Sequence, residues 1–153
     1  MKRLQILIAV IALSMLAGVI AVLPLRFRPL AWIVVVGIVA LALFATLRSG
    51  PSIAPADCAF PVQLNARVYD VVQNVVLFVP LGMGVAAALV ARQLGAAVVC
   101  GAALSTCIEV AQRFDPTRCP SAIDVVSNSA GALLGAFFVV GIRRVLPAPS
   151  PLS

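Results

Sequence analysis

The sequence predicts an all-α fold, a polytopic membrane helix bundle of about five transmembrane helices. Three observations predict it. Mean hydropathy is +1.15 and 63% of the 153 residues are hydrophobic, whereas about half of an ordinary soluble domain is apolar. Only 10% of residues are charged, too few to cover a soluble surface of this size. The apolar residues also fall into five runs, at 4–23, 30–47, 71–90, 94–111 and 123–142, each near the roughly 20 residues that cross a bilayer core. Backbone polar groups in lipid must be satisfied within their own segment, so each run is expected to be a helix.

The first run follows Lys2 and Arg3, as a signal peptide would. It exceeds the roughly 7–15 residues of a signal core, and no clear small-x-small cleavage site follows, which favours an uncleaved helix. The second run holds Trp32 near its start, a residue that anchors helices at the interface. Residues 1–48 therefore read as an anchoring and packing pair. Residues 49–69, rich in Pro, Ser and Ala, read as an extramembrane loop, irregular or with a short interfacial helix at 61–67.

Residues 70–146 form the three-helix core. Its first helix contains Pro80, followed by Gly82 and Gly84. Proline removes one helix hydrogen bond and favours a kink, while the glycines allow another helix to approach closely. In the last helix Ser127, Gly131 and Gly135 recur every four residues, a small-xxx-small stripe suited to close backbone contact in lipid. The stripe can face a neighbouring helix or a second copy in a homo-oligomer. Asp124 and Asn128 near the same face favour the intramolecular choice. The tail, 147–153, has no periodicity and reads as disordered.

Polar residues are few and clustered. Asp70 and Asn74 lie four apart. Ser105, Glu109 and Gln112 or Arg113 follow one face of the fourth helix, and Asp124 and Asn128 one face of the fifth. Five spans bring these three clusters to a common side, where they are expected to line a shallow cavity, with Arg113 and Arg118 as counter-ions for Glu109 and Asp124. Ionisable groups inside a membrane are costly and mark function or specific packing.

The net charge of +6 does not imply nucleic acid, because the eleven basic residues are scattered without a patch. Orientation is left open by charge: Lys2, Arg3, Arg48, Arg67, Arg113 and Arg118 share one side, and Arg26, Arg28, Arg92, Arg143 and Arg144 the other. Cys58 and Cys119 share a side and can pair or remain thiols. Cys100 and Cys107 lie within the fourth helix. With no histidine and no Cys-x-x-Cys spacing, neither a metal nor a cofactor is expected.

Asn74-Val-Val-Leu-Phe-Val-Pro80-Leu-Gly82, then Ser105-x-x-x-Glu109-x-x-Gln112-x-Phe114, then Arg118 and Asp124-x-x-x-Asn128-x-x-Gly131-x-x-x-Gly135 resembles the VanZ-like family over about residues 70–135. The first helix and the tail fall outside that resemblance. Where the family often has a further aspartate, this chain has Ser121. The resemblance implies a bacterial plasma-membrane protein with its motif loops outside the cytoplasm, which would make a Cys58–Cys119 disulfide feasible. It also implies a connection to teicoplanin tolerance, the property of the founding member.

Three functions follow as expectations. The first is an outer-face site for an amphiphile, a membrane lipid or lipoglycopeptide, with ligand-binding residues Asn74, Ser105, Glu109, Gln112, Arg118, Asp124 and Asn128. The second is an intramembrane enzyme with Glu109 or Asp124 as general base. The third is a structural scaffold or subunit.

Overall fold

A computed structural model describes residues 2–23, 29–46, 68–89, 93–114 and 121–146. Five α-helices account for nearly all of them: α1 (Lys2–Val22), α2 (Leu30–Thr46), α3 (Val68–Ala88), α4 (Gln93–Gln112) and α5 (Ala122–Val145). Of the loop expected at 49–69, residues 68 and 69 belong to α3; the rest of it with the interfacial helix at 61–67, the tail, Arg118, Cys58 and Cys119 lie outside the described residues. Among those residues α3, α4 and α5 are long and apolar enough to cross a membrane, while Ile8–Ala21 and Leu30–Phe44 are shorter apolar stretches.

The helices overrun the apolar runs wherever polar residues can stay helical. α3 begins before its run and holds Asp70 in its first turn, and α5 extends to include Arg143 and Arg144 in its last. Both placements suit the helix dipole, positive at the N-terminus and negative at the C-terminus. At about 1.5 Å per residue, α5 is about 36 Å long, enough to carry both its ends beyond a hydrocarbon core of about 30 Å.

α3 is the centre of the bundle. Its most extensive partner is α5, and α1 and α2 pack on it as well, while α4 rests chiefly on α5. The run Leu77–Ala87 is buried almost continuously, including Phe78, Pro80, Leu81 and Val85. A helix buried on all sides needs no amphipathic period, which is why this run reads as uniformly apolar. The helix continues through Pro80.

Glycine decides the α3–α5 seam. A side-chain carbon on Gly131 would overlap the Val75 carbonyl, one on Gly135 the Val79 carbonyl, and one on Gly82 the Ala132 carbonyl. The two backbones are in direct contact, and the glycine Cα–H groups point at carbonyl oxygens, a geometry that adds weak hydrogen bonds. Ser127, Gly131 and Gly135 are all buried within the chain. The stripe therefore serves the intramolecular seam. Gly84 lets α2 approach in the same way, with Val35 Cγ2 at 3.0 Å from where its side chain would begin.

Arg143 ties three helix ends together. Its guanidinium donates to Ala86 O (2.8 Å), Ala87 O (2.7 Å) and Leu89 O (3.2 Å) at the end of α3, and to Ala21 O (3.0 Å) at the end of α1. The last carbonyls of a helix have no partner within it, so the arginine supplies what the helices lack. Each helix C-terminus carries about half a negative charge, and two of them offset roughly one cation. These bonds also fix topology: α1, α3 and α5 run parallel, with their C-termini at one end of the bundle.

Candidate functional site

The opposite end holds the polar cluster. Ser105, Glu109, Gln112, Ser127 and Asn128 are the buried polar or charged side chains among the described residues, and all five lie on α4 and α5. On α4 the inward face is Ser105, Ile108, Glu109 and Gln112, a 3- and 4-residue repeat along one side of a helix. The choice the spacing left open falls to Gln112, since Arg113 is exposed.

Hydrogen bonds join the helices. Asn128 Nδ2 donates to Ser105 Oγ at 2.7 Å, in the buried interface. The Ser121 N–H donates to Glu109 Oε2 at 2.7 Å. Ser121 is the N-cap residue of α5, with an extended backbone and no capping bond from its own side chain. An N-terminal N–H with no helical partner is thus matched by a carboxylate from the neighbouring helix. Gly101 lets the helices come this close: a side-chain carbon there would lie 2.8 Å from Ala132 Cβ.

One acceptor is left over. Asn128 is 4% exposed, and among the described residues its Oδ1 has no hydrogen-bond partner. A buried polar atom in that state costs about 1–3 kcal/mol, so it marks a point where a donor would be stabilised. Asn128 lies six residues into α5, or about 9 Å along the helix. Glu109, Gln112, Ser121 and Asp124 make additional interactions of their own.

The expected convergence of three clusters holds for two. Asp124 is half-buried beside Ser127 and Asn128, but on α3 Asp70 and Gln73 are exposed and Asn74 is half-buried. No hydrogen bond among the described residues ties Asn74 to the cluster. The physical reason is that α1 and α2 cover the far half of α3 (Gly18 faces Met83, and Gly84 faces Val34 and Val35), leaving its polar half at the rim. Arg113 likewise points outward instead of pairing with Glu109. Pro80 and Gly82 lie in the covered half of α3, about 9–12 Å along the helix from Asn74, and belong to packing. Cys100 is half-buried and Cys107 exposed, both as free thiols.

Sequence reasoning missed two participants. The Ser121 backbone was visible only as an absent acid, and Arg143 only as one of several flanking arginines. A signal for the second was present, since a basic pair in the last turn of α5 meets the ends of two parallel helices. Chemically, the cluster offers a carboxylate, two hydroxyls and two amides, a set suited to hydrogen bonding. Among the described residues no group of three His, Cys, Asp or Glu side chains could hold a metal ion.

A family model described as VanZ/LLP1 matches residues 6–144. No curated protein and no solved structure matches it. The match corrects the expected extent of the resemblance, which left out the first helix: both N-terminal helices lie within the family region, as their packing on α3 requires. With nearly the whole sequence matched, the chain belongs to the VanZ/LLP1 family.

Proposed function

We propose that this membrane protein binds the polar head of an amphiphile at the Glu109 end of α4 and α5, and thereby contributes to envelope function or glycopeptide tolerance. The amphiphile is a lipid-linked wall precursor or a lipid-tailed antibiotic. In this reading the protein sits in a bacterial plasma membrane with that end on the outer side. Glu109 and Arg118 recognise charged groups. Ser105, Gln112, Asn128 and, from the rim, Asn74 supply neutral hydrogen bonds, and Asp124 sets the local charge. The observation that supports this reading is the buried Asn128 Oδ1, an acceptor without a donor inside an otherwise bonded cluster.

A second reading, a knot that only fixes helix packing, draws support from the Asn128–Ser105 and Ser121–Glu109 bonds, both made within the chain. Glu109→Gln, Asp124→Asn and Arg118→Ala separate the two. Membrane abundance and lipoglycopeptide susceptibility are measured for each, with mass spectrometry of lipids that co-purify. Normal abundance with lost phenotype or lost lipid supports binding. Loss of folded protein in all three supports the knot and sinks the binding site.

A further inference from the structure

The end of the bundle opposite the polar cluster carries a different chemistry. Among the described residues this end carries Arg143 and Arg144 and no acid, since Asp70, Glu109 and Asp124 all lie at the other end. Arg143 is turned inward onto four carbonyls, and helix C-termini offset its charge. Its neighbour Arg144, about 100° further round the helix, is exposed.

Below Arg144 the outer face of α5 has an unusual composition. Leu134 (55% exposed), Phe137 (53%) and Arg144 lie along it, with Gly141 between the phenylalanine and the arginine. Gly131 and Gly135 are explained by backbone contact with α3, but a side-chain carbon on Gly141 would meet nothing within 4 Å. Glycine within a helix is unfavourable relative to alanine, and packing among the described residues does not offset that cost at this position. Helical side chains lean toward the N-terminus, so the missing one opens a gap directly under an exposed cation and over an aromatic ring.

We propose that this face binds an anionic phospholipid: its phosphate on Arg144, its glycerol region in the gap at Gly141, and an acyl chain along Phe137 and Leu134. Charge complementarity selects the occupant. An end whose described charged residues are both basic attracts anionic headgroups, and α5 is long enough to bring Arg144 to headgroup level. The site is separate from the one at Glu109, and neither depends on the other.

The test uses the purified full chain in detergent, supplied with equal dioleoylphosphatidylglycerol and dioleoylphosphatidylcholine, and counts retained lipid by native mass spectrometry. The wild type is expected to retain phosphatidylglycerol preferentially. Arg144→Gln should lower that preference about fivefold. Gly141→Leu fills the gap and leaves the charge in place, and should lower retention of the same lipid. Both residues face outward, so thermal unfolding of the lipid-free protein should be no weaker in either variant. Equal retention of the two lipids by the wild type overturns the proposal, as does a preference that survives both substitutions. Stabilisation by inorganic phosphate equal to that by phosphatidylglycerol would make the site an ion site and overturn it. A change of oligomeric state in Gly141→Leu would make the face a contact between copies, with the same result.

Discussion

The two ends of this bundle treat buried polar groups in opposite ways. At the Arg143 end, one guanidinium meets the last carbonyls of α1 and α3 in four hydrogen bonds. At the Glu109 end, five buried polar side chains gather on two helices and one amide oxygen is left without a donor. The first arrangement is a lock, because its bonding capacity is matched to backbone groups that cannot move independently of the fold. The second has capacity to spare. In an apolar chain the contrast separates polar residues whose bonding is fully matched from those with bonding capacity left over, a distinction that burial alone does not make.

The seam that joins the two ends should break most severely. Gly135→Leu forces a side chain into the Val79 carbonyl and toward Met83 N at 2.9 Å, so α3 and α5 must separate. Monodisperse protein should be absent on fluorescence-detected size exclusion. Full recovery of the variant would show that the seam does not hold the ends in register.

Next in size is the lock. Arg143→Ala leaves carbonyls at the ends of α1 and α3 unsatisfied, and should destabilise by about 2–4 kcal/mol, read as a drop in Tm in detergent. Arg143→Lys should recover only part of that loss, since a compact ammonium has three donors and lacks the planar fork that reaches two helices. Full rescue by lysine would reduce the lock to a charge effect.

The polar end should respond least, and non-additively. Ser105→Ala or Asn128→Leu alone leaves one partner of the 2.7 Å bond buried and alone, a cost of about 1–3 kcal/mol. The double variant removes both partners and should cost less than the sum of the two. A double-mutant cycle on Tm checks this. Simple additivity would mean that the bond seen between α4 and α5 carries no coupling, and the contrast between the ends would lose its basis.

How far the sequence could be read differed by element. Hydropathy located the five described helices, since a long apolar run in lipid satisfies its backbone as a helix, and α3, α4 and α5 are long and apolar enough to cross a membrane. Ends were less legible, because Asp70, Arg143 and Arg144 remain helical beyond the apolar windows. Within the site, periodicity placed Ser105, Glu109 and Gln112 on one face of α4 and Asn128 on the matching face of α5, as found. It could not tell that Asp70 stays exposed, since helical spacing reports which residues share a face and not what that face meets. Nor could it separate Gly131 and Gly135, which touch α3, from Gly141, which touches nothing.

By itself, then, the sequence determined the helical membrane class, the number of helices, the chain order of the polar clusters and membership of the VanZ/LLP1 family. These follow from local properties: run length, hydropathy, spacing and motif. The tertiary structure decided what each polar group does. Arg143 and Arg144 are adjacent and chemically identical, yet one is bonded to two helix ends and the other faces outward, because a rotation of about 100° per residue takes them to different neighbours. Asn128 became an acceptor without a donor only once α4 supplied Ser105 to one side of its amide and nothing described supplied the other. Those outcomes depend on packing between helices distant in sequence, which no pattern within one helix encodes.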